Sequence, residues 1–495
     1  MHLVMAQYKC RYFILTLFVT NVFAELTIYQ YPGEILPSDK FRVYVQQDQS
    51  RHQCFTYINR ADHRAEELSR KGKDYIHRNR SVSWSSFAFI GNPVTVEIQT
   101  QKDFHKCIIR PSHHGYNCEK TGPKTAQFTV TSNTRMMSVE FDFDYGSMNR
   151  DVADKLLIFA DSPETTVPQP NASGVLFYPA GVTDLGGQLQ LNAKIREVYL
   201  APGAYVHGGF ITTSRQPVKI YGRGILSGEK YKFRTRQFKF AVIQMDKGSN
   251  HTIEGLTILD PPRFFIRANG KYNIVGKVKT VGAWTYNTDG VVVGKYGMVT
   301  DSFFMVNDDA IKIYYNNIIV QNCVVWQSQN GAVFQTGWGK TRYIQHVRVS
   351  DIDVIHADWC AFKPRNCRHL SQNNAVLAIS DSGANLQHIE ASDVEFRNIR
   401  IEGRVQRLFN FIVRKGSTGN VSTFSFVNWT VEQVPYTSFH SQINGTRMVN
   451  INNWRFENFK IEGKCISKAN EANLRLDPST VVMTTFHCPA TSVVR

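Results

Sequence analysis

From about residue 250 onward, short apolar runs recur around a turn residue, and this recurrence leaves few architectures open. The turn residues are Gly255 in IEGLTI, Gly276 in IVGKV, Asp301 in VTDSFF, Asn322 in VQNCVV and Asp351 in VSDIDV, at steps of 21, 25, 21 and 29 residues. Further copies centre on Asn398 in FRNIRI, Asn428 in FVNWTV and Asn453 in INNWRF. The strands are too short to pair as hairpins and little helical patterning lies between them. Such a period predicts a right-handed parallel β-helix, in which each coil buries its apolar face only against its neighbours. A large β-sandwich or a propeller is the competing architecture, but propeller repeats run to ~40–50 residues and none is visible.

The preceding part of the chain is patterned differently. Phe41 to Val45, Phe87 to Ile90, Val94 to Ile98, Phe128 to Val130 and Val139 to Phe143 are short alternating runs separated by Gly, Pro and Asn. They predict half-buried strands and hence an N-terminal antiparallel β-sandwich over residues 25–161. Residues 61–73 are polar and read as loop or weak helix. Residues 162–173, with three prolines, read as a linker to a β-helix domain over 174–495. The fold class is therefore all-β in two domains.

At the N-terminus, Lys9 and Arg11 precede the apolar run Tyr12 to Val22, which is shorter than the ~20 residues that span a bilayer. Residues 1–24 read as a signal peptide cleaved after Ala24, which places the mature chain outside the cell. Eight cysteines then remain, with three close pairs, Cys107 with Cys118, Cys360 with Cys367 and Cys465 with Cys488, so disulfides are expected. Cys54 and Cys323 are either a fourth pair or buried thiols. Six N-x-S/T sequons, at Asn79, Asn171, Asn250, Asn420, Asn428 and Asn444, suit an extracellular glycoprotein. The formal charge of +16 attracts polyanions or simply solvates the surface. No Lys/Arg run marks a nucleic-acid patch, no later segment reads as a membrane span, and oligomeric state is not legible.

Three carboxylates stand out. Asp289 lies in WTYNTDGVVVG and Asp308 and Asp309 in VNDDAIKIYY, so Asp289 precedes the pair by 19 residues, close to one coil. Stacked coils lie ~4.8 Å apart, so equivalent positions on successive coils bring these side chains together. Close like charges do not all ionise easily; one proton is retained while the other carboxylates stay anionic. Glycosidic hydrolysis needs such a pair, an acid for the leaving oxygen and a base or nucleophile for the anomeric carbon. Each motif alone is also a good solvated turn. Adjacent strand residues point to opposite faces, so Asp308 and Asp309 serve one site only at a strand end or bulge.

Trp284, Tyr286, Tyr314, Tyr315, Trp326 and Trp338 surround the acids and are candidate sugar platforms, although buried aromatics are common and some belong to the core. Lys312 either holds a substrate group and biases the acids or is a surface lysine. No spacing resembles a zinc site, and no cofactor is expected.

These residues resemble glycoside hydrolase family 49, which includes dextranases and isopullulanases. The likeness spans most of the chain and is densest in YNTDGVVVG, NDDAIKIYYNNIIVQNCVVWQSQNGAVFQTGW and DIDVIHADW. It implies an N-terminal β-sandwich before a right-handed parallel β-helix, and inverting endo-hydrolysis of a polysaccharide, an α-glucan in known members. By motif, Asp308 corresponds to the general acid, and Asp289 and Asp309 to the groups that position and activate water. The polygalacturonase-like family shares the solenoid and the NTD plus DD arrangement and would explain the basic charge, but its Gly-His-Gly and Arg-x-Lys segments are missing. A catalytically silent carbohydrate-binding protein is the alternative outside enzymes; three mutually repelling acids would then lack a purpose.

Overall fold

The computed structural model describes residues 25–64, 79–143, 152–338, 341–357, 359, 370–371, 373–379 and 388–489. The expected signal peptide and the Cys360–Cys367 pair lie outside the described residues, as does most of 61–73, which begins with a 3-10 turn at Asp62–Arg64. Among the described residues, helix is limited to three such short turns, and no helix is long and apolar enough to cross a membrane.

Residues 25–161 form two sheets. One joins Glu25–Ile28, Ser81–Ile90, Asp154–Asp161, Arg135–Phe141 and Cys107–Arg110, with Tyr57–Arg60 at its side; the other joins Ser50–Cys54, Phe41–Gln47, Val94–Thr100, Thr125–Val130 and Glu119–Gly122. Phe41–Gln47 alternates buried with more exposed positions, and its Phe41, Val43 and Val45 share an apolar cluster with Val96 and Ile98 and, from the facing sheet, Phe87, Val139 and Ile158. The run LLIFA shows no such alternation because both of its faces are covered: Leu156 and Ile158 enter that cluster, while Leu157 and Phe159 pack against the second half of the chain. Cys107 and Cys118 are joined, as are Cys465 and Cys488, whereas Cys54 and Cys323 are separate buried thiols.

From Val175 onward a 31-stranded sheet winds as a parallel β-helix in which strands pair with their counterparts one coil later, apart from a short antiparallel pairing of Lys460–Ile461 with Lys464–Cys465. One inward ladder reads Ile253, Val275, Val299, Val320, Val349, Phe396, Phe426 and Phe456, apolar at every rung. The corner beside it needs positive φ on every coil. Gly255, Asp301, Asn322, Asp351, Asn398 and Asn428 occupy it as expected, and Asn side chains bond from coil to coil, for example Asn428 to Asn398 at 3.1 Å. Two rungs differ. Lys277, not Gly276, has the positive φ, and Asn458, not Asn453, continues the ladder; Asn453 turns a different corner and bonds Thr423.

Residues 162–173 carry no regular structure, yet they are tied down: Arg223 donates to the Ser162 carbonyl and Tyr199 to Glu164.

Candidate active site

On one face of the coil stack, Val291 registers with Ile311. Two residues earlier, Asp289 and Asp309 therefore occupy equivalent positions on successive coils, and the Gly290 N–H donates to the Asp309 carbonyl at 2.9 Å. Asp308 and Asp309 lie between the strands Phe303–Val306 and Ile311–Lys312, in a bend rather than within a strand. The bend resolves the parity conflict: neighbouring residues both reach the site because the pleat is interrupted there. Gly331 closes over the bend so tightly that a Cβ on it would stand 2.1 Å from the Asp308 carbonyl carbon and the Asp309 nitrogen, and its φ is +78°. Only glycine meets both demands.

All three acids are buried, at 2%, 5% and 2% exposure for Asp289, Asp308 and Asp309, yet they line a cleft of about 590 Å³ and so remain open to a ligand. Asp308 accepts from the Asn287 N–H at 2.8 Å and from Asn330 Nδ2 at 2.6 Å on one oxygen, and from the Asp309 N–H at 2.9 Å on the other. Asn287 sits at φ 60°, a conformation asparagine tolerates, and this turns its N–H toward the carboxyl. Asp309 accepts from the Ala332 N–H at 3.0 Å and from Asn373 Nδ2 at 3.1 Å. Lys312 Nζ lies 2.6 Å from Asp289 and also contacts Asp309. The other Asp289 oxygen, Oδ1, is buried without a hydrogen-bond partner among the described residues.

Burial and the charges of its neighbours, Asp308 before Asp309, push Asp289 well above the usual carboxylate range despite Lys312. Burial and then Asp309 raise Asp308 to about 6. Burial opposes the charge on Lys312, but Asp289 and Asp309 outweigh it and hold the ammonium protonated. Near neutrality the cluster thus retains a proton on its acids beside a fixed cation, so acid and base are present together. The three carboxylates approach within 4.8 Å of one another, a spacing that would also hold a cation; the Lys312 ammonium already supplies positive charge to two of them.

Of the other expected site residues, Lys312, Tyr314, Tyr315 and Trp338 line the cleft, Trp338 exposed and Tyr314 beside Lys312. Trp284 and Trp326 do not. Both are fully buried where the N-terminal sheet meets the β-helix: Trp284 donates from Nε1 to Asn59 Oδ1, and Trp326 stacks on His356 at 4.0 Å. Their proximity to the acids in sequence is real, but the coil turns them to the opposite face, against Trp84 and Phe159. Tyr286 packs edge-on against Phe233 at the margin of that cluster and is not among the cleft-lining residues. Asn287, Asn330, Asn373, Phe264, Arg234 and Arg263 were not legible as site residues; of these only Asn287 carried a signal, in its NTD triplet.

No family model matches the chain. A dextranase of Arthrobacter sp. (strain CB-8) is 24% identical over 482 residues, 78% of this chain and 74% of that protein. A dextranase of Talaromyces minioluteus is 32% identical over 347 residues, 56% of this chain and 57% of that protein. An isopullulanase of Aspergillus niger is 25% identical over 469 residues, 81% of each. Among solved structures, Dex49A from Penicillium minioluteum superposes with a TM-score of 0.78 at 22% identity, covering 93% of this chain and 96% of that one, which establishes the shared fold. Fold, site and relatives together define a glycoside hydrolase built on a parallel β-helix. Within that class, the chain is dextranase- and isopullulanase-like, its sequence relatives being dextranases and an isopullulanase.

Proposed function

We propose that the protein is a secreted, endo-acting, inverting hydrolase of an α-glucan such as dextran, needing no metal or cofactor. The observation that carries this reading is the cluster of Asp289, Asp308 and Asp309 around Lys312 in an open cleft. Cleft-lining residues come from five successive coils, from Arg263 through Asp289, Asp309 and Asn330 to Asn373, a span of about 19 Å at ~4.8 Å per coil. That length suits several sugar rings of a polymer rather than a chain end alone. Dextran as substrate rests on the relatives, three of which are dextranases.

In this reading Asp308, raised to about 6 and held by Asn287 and Asn330 at the open cleft, donates the proton to the leaving oxygen. Asp309, in contact with Lys312, deprotonates the attacking water, and Asp289, with one oxygen unpartnered, orients it. The domains are residues 25–161 as a β-sandwich and 174–495 as a right-handed β-helix, joined by 162–173. Asp308→Asn tests the assignment: hydrolysis of dextran should fall by ~10²–10⁴, and that of an activated aryl glycoside by much less. Parental rates on dextran in a folded Asp308→Asn variant would remove the cluster from catalysis and leave a silent binding protein. Proton NMR of the first products reads the anomer, and retention would refute inversion.

A further inference from the structure

Two arginines, Arg234 and Arg263, lie at the edge of the cleft. The Arg234 N–H donates to the Pro262 carbonyl at 2.9 Å, which places Arg234 beside Arg263, and both side chains line the cleft. Neither has a carboxylate partner among the described residues. Arg234 lies over the rings of Phe233 and Tyr286 at 5.2 Å each and donates to the side chain of Asn287, the residue whose N–H holds Asp308. Arg263 donates from Nη1 to the Lys239 carbonyl at 2.7 Å, while its Nε is buried without an acceptor. Arg267, in the strand Phe264–Ala268 that follows Arg263, contrasts with them, being ion-paired with Asp246 at 2.8 Å.

A buried donor without an acceptor, here Arg263 Nε, is unfavourable by roughly 1–3 kcal/mol. An oxyanion bound in the cleft offers that donor an acceptor, and planar forks of N–H donors match carboxylate and sulfate oxygens. A neutral ring offers hydroxyl acceptors but no charge. Arg263 immediately precedes Phe264, which registers with Asp289, so the pair lies about one coil, ~4.8 Å, from the acids.

Resting on the polysaccharide-hydrolase reading, we propose that Arg234 and Arg263 form a subsite for an oxyanion carried by the saccharide, a carboxylate or a sulfate ester, on the sugar next to the scissile bond.

The test uses the full chain carrying Asp308→Asn, so that ligands survive, and calorimetric titration with dextran fragments of equal length that are neutral, carboxymethylated or sulfated. The anionic fragments should bind at least about tenfold tighter at low salt, with the ratio collapsing at high salt; whichever anionic fragment binds tighter identifies the oxyanion. Adding Arg234→Gln and Arg263→Gln should bring the ratio close to one, and Arg263→Gln alone should lower it if the double variant fails to fold. Adding Lys102→Gln and Lys106→Gln instead, two exposed residues of the N-terminal sheets, should leave the ratio unchanged. Equal affinity for neutral and anionic fragments overturns the inference. So does an equal loss in the arginine and lysine variants, which would make the preference a property of the whole +16 charge. If the parental enzyme cleaves no neutral dextran, the glucan reading fails, while the affinity ratio still decides the subsite.

Discussion

Lys312→Met isolates the balance of charge on which the site depends. The ammonium lies 2.6 Å from Asp289 and contacts Asp309, and all three groups are almost fully buried. Methionine keeps most of the stem's packing and removes the charge, leaving three carboxylates without their cation. Removing one partner of a buried pair typically costs about 3–5 kcal/mol, chiefly from the charge left uncompensated. Near 2.1 cal/mol/K per residue, a chain of 495 residues has an unfolding entropy of about 1 kcal/mol/K, so Tm should fall by about 3–5 °C at pH 8. The sign with pH follows from the raised carboxyls. A group whose folded pKa is raised stabilises the fold in its protonated form below its unfolded pKa, near 4, and loses that contribution as pH rises through the folded value. Without Lys312 nothing offsets that loss, so the deficit should be largest at pH 8 and shrink toward about 1 kcal/mol at pH 4, where a bound proton replaces the ammonium. Thermal unfolding of both proteins from pH 4 to 8 reads this directly. A deficit of equal size across the range, or none at pH 8, would refute the electrostatic account of Lys312.

With Asp308 near 6 and acting as the acid, kcat/KM for dextran should decline above about pH 6, approaching tenfold per unit; a plateau through pH 8 would assign the proton elsewhere. Gly331→Ala should reduce activity at least about a hundredfold and destabilise the fold by about 1–3 kcal/mol, since the new Cβ must displace the Asp308–Asp309 peptide; kinetics and denaturant titration of the variant check both. The tryptophans should separate by assay. Trp326→Ala should cost about 3–5 kcal/mol of stability, whereas Trp338→Ala should change stability by less than about 0.5 kcal/mol and raise KM about two- to tenfold.

What the sequence revealed and what it concealed divide along a physical line. The coil period was readable because each inward rung must be apolar, and Asp289 and Asp309 stack because their spacing is one coil. The left-handed corner was misplaced at Gly276 because backbone pairing imposes positive φ on whatever residue falls there, here Lys277. Trp284 and Trp326 were misassigned for a related reason. Within a short coil, nearness to an acid in sequence does not say which face a side chain takes, and the face opposite the cleft is covered by the N-terminal sheet. Arg234 was out of reach altogether, since it meets Asn287 from 53 residues earlier, across coils whose register no motif encodes.

That covered face links the N-terminal sheets to the chemistry. Asn59, in a strand of the six-stranded sheet, accepts from Trp284 Nε1. The Trp284 carbonyl accepts from Asn307 Nδ2 at 3.1 Å, and Asn307 Oδ1 accepts from the Asn330 N–H at 3.2 Å. Asn330 then donates to Asp308. Hydrogen bonds thus run unbroken from the first sheet to the proposed proton donor, through residues that flank the bend on which two of the acids sit. A bend is the least constrained part of a coil, lacking the ladder that fixes strands. Asp308 needs placement to a fraction of an ångström to protonate a leaving oxygen. The N-terminal sheets supply that constraint from behind, by clamping Trp284 five residues before Asp289, while the cleft side stays free for substrate. The packed Trp284 is therefore a positioning residue of the proposed active site, tied to Asp308 without lining the cleft.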